Sequence, residues 1–153
     1  MIKQKIYIDT SVIGGCFDKE FEKWSNNLLN DFKNGLFIPV ISDVISAEIL
    51  NAPQKVKDKY AELFTYRPEL LEITEDAITL AQIYLNRNIL TQKYFEDCLH
   101  IAIATIAKVD ILVSWNFKHI VHFDKIRMFN SVNLELGYKP IEIYSPREVT
   151  SNE

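Results

Sequence analysis

The chain has 153 residues, 48% of them hydrophobic and 25% charged, proportions ordinary for one globular domain with a sizeable core. Its formal charge of −4 argues against a protein that holds nucleic acid mainly through a broad basic surface. Carboxylates that gather divalent cations would lower the count in the same way. No apolar run approaches the roughly 20 residues of a membrane span, and no leader-like apolar segment with a cleavage site is visible. Cys16 and Cys98 form neither a disulfide framework nor a zinc pattern. A cytoplasmic protein with two reduced thiols is expected.

Ile6, Tyr7 and Ile8 form a β-branched and aromatic run, the signal of a strand, which delivers Asp9 to its exit ahead of Thr10 and Ser11. Phe21, Trp24, Leu28 and Phe32 recur at helical spacing over residues 19–33. After Gly35, residues 36–41 read as a second buried strand, with Pro39 arguing against pairing along its whole length. Ser42 suits an N-cap for a helix over 43–50 that displays Glu48. Val56, Tyr60, Leu63 and Phe64 keep helical spacing between Pro53 and the Arg67-Pro68 break, so two adjacent helices would form an arm.

Residues 70–73 suggest a short strand, and Thr74 a cap for a helix ending near Asn86 to Asn88. Residues 94–108 are apolar nearly all round after the first turn, which marks a central buried helix with Glu96 and Asp97 at its positive end. Residues 111–114 read as a strand leading to Trp115 and Asn116. A helix over 124–136, stopped by Gly137, and a strand over 141–144 complete the pattern. The alternation predicts one three-layer α/β/α domain over residues 1–149 with a mainly parallel sheet, and a frayed tail from 150 to 153.

In such sheets ligands bind beyond the carboxyl ends of the strands. Asp9 and Asn116 lie at strand exits, Asp97 at a helix start and Glu48 early in the helix after the second strand. All four can reach one edge. Asp9 alone would serve equally as a helix cap. Gathered carboxylates suit Mg²⁺ or Mn²⁺, which prefer oxygen ligands and retain waters.

Ile-Tyr-Ile-Asp9-Thr-Ser-Val, Ile-Ser-Ala-Glu48-Ile-Leu, Phe-Glu-Asp97-Cys-Leu-His-Ile-Ala-Ile-Ala and Val-Ser114-Trp115-Asn116-Phe-Lys-His resemble, in order, the four motifs of PIN-domain nucleases. Within that family the likeness is to VapC-type toxins of toxin–antitoxin pairs, and it spans nearly the whole chain. Asn116 departs from the commoner Asp. The resemblance implies metal-binding roles for Asp9, Glu48 and Asp97, a supplementary role for Asn116, and water- or phosphate-orienting roles for Ser11 and Ser114. It also implies RNA cleavage with Mg²⁺ or Mn²⁺, a homodimer and an antitoxin partner. Hydroxide made at a cation would attack the phosphate in line and leave a 5′ phosphate.

PIN-like domains also process RNA outside toxin systems or bind without catalysis, so these readings stay open. The binding-module reading gains from Asn116 but gives three mutually repelling carboxylates no chemical reason to coexist. A phosphatase using Asp9 as nucleophile would want a second Asp where Ser11 stands. His100, on an apolar helix, reads as a packed residue outside the catalytic set. His119 and His122, beside Lys118 and Lys125, suit either a solvated face or phosphate contacts. Trp115 suits core packing better than stacking on a base.

Overall fold

The computed structural model describes residues 2–151. Five strands, β1 (Lys5–Ile8), β2 (Ile38–Ser42), β3 (Glu69–Leu71), β4 (Ile111–Val113) and β5 (Glu142–Tyr144), form one sheet of order β3-β2-β1-β4-β5. Every pairing is parallel, so each crossover must pass over a face of the sheet. The order runs outward in both directions from β1 and β4. Their boundary is the topological switch, where crossovers leave to opposite faces and open a crevice.

The strands alternate across the sheet. Ile6 and Ile8 face one core with Val12, Leu28, Phe32, Ile45 and Leu63, carried by α1 (Thr10–Gly15), α2 (Glu22–Lys33), α3 (Asp43–Ile49) and α4 (Gln54–Phe64). Tyr7 and Leu112 face the other core with Tyr84, Ile101, Phe129 and Val132, on α5 (Glu75–Asn86), α6 (Phe95–Ile106) and α7 (Phe123–Glu135). The three-layer α/β expectation is met. The central helix is α6, buried from Cys98 through Thr105.

Local chemistry accounts for several element ends. Thr74 accepts from the Ala77 amide at 3.1 Å and caps α5, and Gly137 ends α7 at φ 86, a conformation that costs a Cβ-bearing residue about 1 kcal/mol. Pro39 does pair with β1, opposite Ile6. Its missing N–H is tolerated because the ladder to β3 begins only at Val40. Two short helices go beyond the predicted pattern: α1, and α8 (Pro146–Val149), closed by a capping box between Ser145 and Glu148.

The predicted tail is fastened at its start. Thr150 and Ser151 hydroxyls donate to Asp31 at 2.8 and 2.6 Å, and the Ser151 amide donates at 3.0 Å. A buried carboxylate on α2 thus gains donors from residues expected to fray, while Asn152 and Glu153 lie outside the described residues. Among the described residues no helix is long and apolar enough to cross a membrane.

Candidate functional site

Asp9 follows β1 at the switch and is only 5% exposed. It occupies the N-cap position of α1 without making a side-chain cap bond. Instead Ser11 donates to its Oδ1 and Ser114, just past β4, to its Oδ2, both at 2.6 Å. Two strands that are neighbours only because the topology reverses there hold one carboxylate from both sides. A hydroxyl that donates to Asp9 keeps lone pairs to accept from water or from an amide. The Trp115 amide uses Ser11 at 2.9 Å, and the Asn116 amide uses Ser114 at 2.9 Å.

Glu48 lies in the last turn of α3, one residue from its end, and not early in that helix. Its reach comes from the side chain: Oε1 accepts from Thr10 Oγ1 at 2.8 Å and meets His100 Nε2 at 2.8 Å. The other His100 nitrogen, Nδ1, meets the Tyr7 hydroxyl at 2.6 Å, which also contacts Ser42 Oγ at 2.7 Å. Ser42 therefore sits at the N-cap of α3 but directs its hydroxyl to Tyr7 rather than to the helix. With both ring nitrogens bonded and 2% exposure, His100 is the packed residue expected on an apolar helix.

Asp97 stands in the first turn of α6. Its Oδ2 meets Nδ1 of His119 at 3.0 Å, and His119 in turn donates its amide to Asn116 Oδ1 at 3.0 Å. Asn116 thus closes the turn that carries His119, with a second lone pair left on that oxygen. His119, read from the sequence as part of a solvated face or a phosphate contact, is instead buried against Asp97. It stands three positions after a polar strand-exit residue, a spacing that only the turn converts into a contact with Asp97. His122 is exposed.

Charge binds the three acids into one unit. Burial pushes the Asp9 carboxyl above the usual carboxylate range, against the opposing pull of His100 and the two serines. Burial also acts to raise Glu48, but its bond to His100, the charge of that ring and the Thr10 bond outweigh it and hold Glu48 low. Burial would lower His100; the Glu48 bond and the charges of Asp9, Glu48 and Asp97 overcome it and raise the imidazole. An imidazolium here partly neutralises three carboxylates. Cys98, beside Asp97, has its thiol pushed by burial to about 12, which removes it as a nucleophile.

The donor set is oxygen-rich, as a hard divalent ion requires. Among the described residues no three His, Cys, Asp or Glu side chains converge into a ready-made cage. Mg²⁺ does not need one, since it binds through one or two carboxylates and keeps waters and phosphate oxygens in its other positions. A carboxylate buried at the cost that lifts Asp9 is stabilised by a nearby cation. The residues fit such an ion.

Aromatic packing fixes the strand-exit segment from behind. Trp115 is 7% exposed, stacks on Phe21 at 4.1 Å and donates its indole N–H to Ser25 at 2.8 Å. It is a packing residue, as its place after a buried strand suggested. Gly15 faces this pair: a Cβ there would lie 2.6 Å from both Ser25 Oγ and Trp115 Nε1. The segment that carries Ser114 and Asn116 thus leans on a glycine.

No family model and no curated relative matches this sequence. Solved structures do. VapBC2 from Rickettsia felis, solved with a DNA fragment from its promoter, aligns over 93% of this chain and 98% of its own, with a TM-score of 0.56 and 16% identity. VapC20 from Mycobacterium tuberculosis, a toxin that cleaves the sarcin–ricin loop, aligns over 90% and 98%, with a TM-score of 0.57 and 14% identity. FitAcB from Neisseria gonorrhoeae aligns over 94% and 99%, with a TM-score of 0.56 and 14% identity. At such identities the likeness is one of fold.

Proposed function

From a chain with the PIN-domain fold of VapC-type toxins, we propose a divalent-metal-dependent endoribonuclease that acts as the toxin of a toxin–antitoxin pair. The observation that supports it most is the carboxylate cluster itself. Asp9, Glu48 and Asp97 come from three separate elements, each is oriented by hydroxyl or imidazole groups, and the charges of all three act on His100. A structural role gives no reason to bring three like charges together there.

Asp9, Asp97 and Glu48 would hold Mg²⁺ or Mn²⁺, which when bound lowers the pKa of a water and offsets charge on the phosphate. The chain's own task is positioning. Ser11 and Ser114 fix both oxygens of Asp9, His119 fixes Asp97, and Asn116 holds His119 while keeping a lone pair for water. Purified protein freed of any partner is expected to cleave RNA with Mg²⁺ or Mn²⁺ and to stop in EDTA. Asp97→Asn should lower the rate on the order of 10-fold to 100-fold, at least the effect of losing a metal site's supporting groups. Full cleavage by a folded Asp97→Asn protein would reject the site.

An antitoxin partner is part of this reading, and the similar solved structures include a toxin–antitoxin complex from Klebsiella pneumoniae. We place its contact on the arm formed by α3 and α4. Val56 is core, but Leu50 and Phe64 are 71% and 42% exposed, and Tyr60 is half-buried against Phe64, ring to ring at 5.1 Å. Exposed aliphatic and aromatic groups on adjoining helices suit an apolar segment of a partner. Hydrogen exchange with a cognate antitoxin should show protection over residues 50–64; an arm that exchanges equally with and without it would sink this placement.

A further inference from the structure

Two clefts adjoin beside the candidate site. One, of about 630 Å³, is walled by Tyr94, His119, Lys118 and Lys125; the other, of about 700 Å³, is walled by Arg87 and Arg127. Ile89 belongs to both, so they form one groove. Its near end is physically continuous with the acids, because His119 contacts Asp97 at 3.0 Å. We propose that this groove is the track for an unpaired segment of the RNA substrate, running from the scissile phosphate at Asp97 past Tyr94 and Lys118 toward Arg127. The inference rests on the nuclease reading above.

Charge complementarity chooses the occupant. In a chain of net charge −4, four cations line one groove against a single lining acid, Asp124. Lys118 and Arg127 are exposed. Arg127 lies over the Phe123 ring at 5.4 Å, which leaves its guanidinium on the surface. Arg87 is shared with Glu135 at 2.7 Å, and Lys125 donates to the Ile89 carbonyl at 2.6 Å, so Lys118 and Arg127 carry most of the phosphate attraction. At the near end the Tyr94 and His119 rings lie 3.9 Å apart, tilted by 46°. Lys93 Nζ lies over the half-buried Tyr94 ring at 5.6 Å, so a base released from a helix can stack on that ring by displacing the ammonium, which then adds a cation at the near end. Asn86 and Gln92, exposed on the same wall, offer donors and acceptors to its edge.

The test pairs binding without cleavage and cleavage with metal. Anisotropy of a short, unstructured, fluorescein-labelled oligoribonucleotide in EDTA should show Lys118→Ala/Arg127→Ala weakening affinity by at least ~10-fold. The slope of log affinity against log salt should fall by about 1.4, two single-strand phosphate contacts. In Mn²⁺ the same variant should raise KM with kcat within about 2-fold, since neither residue touches the acids. Tyr94→Ala should weaken binding and Tyr94→Phe restore it, as stacking predicts. The control Lys3→Ala/Lys33→Ala removes two cations from the opposite, amino-terminal edge of the sheet and should leave affinity and slope as in wild type.

Groove variants that match this control in affinity, slope and KM would overturn the assignment, as would wild-type protein that fails to bind RNA at low salt. A duplex of equal length that competes as well as the single strand would overturn the unpaired-strand part. Binding that follows the groove in a protein that never cleaves RNA would leave the track intact and remove the nuclease reading instead.

Discussion

Asp9→Asn is expected to reduce metal-dependent RNA cleavage by on the order of 100-fold or more while leaving the metal-free fold at least as stable as wild type. The two halves share one cause. Asp9 is buried and its carboxyl is raised by that burial, so the folded, metal-free protein binds a proton at this group more tightly than the unfolded chain. Between the ordinary value of 3.8 and the raised folded value, stability must therefore fall as pH rises. Asn fills the same space without a charge, and the hydroxyls of Ser11 and Ser114 can each donate to its oxygen or accept from its amide.

His100 has the same sign. Its imidazole is raised in the fold from 6.5, so the stability it contributes is complete below 6.5 and is lost as pH climbs through the folded value. Glu48, held low, has the opposite sign, and its contribution is lost only in acid, as pH falls through the folded value. Denaturant midpoints in EDTA should thus fall from pH 6.5 upward in wild type. The fall should be shallower in Asp9→Asn, which has lost one of the charges that hold His100 protonated. Added Mn²⁺ should restore stability to wild type more than to the variant. Identical pH slopes and equal responses to Mn²⁺ would place Asp9 outside the charged cluster.

Gly15→Ala is expected to destabilise the fold by about 2 kcal/mol, the net of two opposed effects. Alanine in a helix gains about 1 kcal/mol over glycine. Against this, a methyl group 2.6 Å from Ser25 Oγ and Trp115 Nε1 overpacks the site at a cost of about 1 to 3 kcal/mol, and parting the Ser25–Trp115 bond adds roughly 1 kcal/mol. Neither neighbour yields easily. Trp115 is stacked on Phe21 and Ser25 is fully buried.

The function should suffer with the stability, because Trp115 stands between Ser114, which holds Asp9, and Asn116, which holds His119. Chemical denaturation together with tryptophan emission tests this: a lower midpoint and a shifted spectrum are expected, with cleavage reduced at temperatures where the variant remains folded. Unchanged emission and stability would mean that the helix slides aside without cost and that Trp115 does not brace the site.

Much of this protein was written locally. The β-branched and aromatic run around Tyr7, the nearly all-round apolar character of residues 94–108 and the Thr74 cap each depend on neighbours a few residues away, so strands, helices and the α/β class were legible. So were the places of Asp9 after β1 and Asp97 in the first turn of α6, whereas Glu48 stands in the last turn of its helix and not early in it. What the tertiary structure decided is how each acid is held. The strand order puts β1 beside β4, which lets Ser114 reach Asp9 across 105 positions. It also places His100 between Tyr7 and Glu48, and the turn after β4 swings His119 onto Asp97. Thr10 and Ser42 direct their hydroxyls to distant side chains instead of helix ends, and Ser11 turns back to Asp9. A hydrogen bond depends on type and distance together. Sequence specifies the type at once, whereas the distance between residues a hundred positions apart exists only after the sheet has closed.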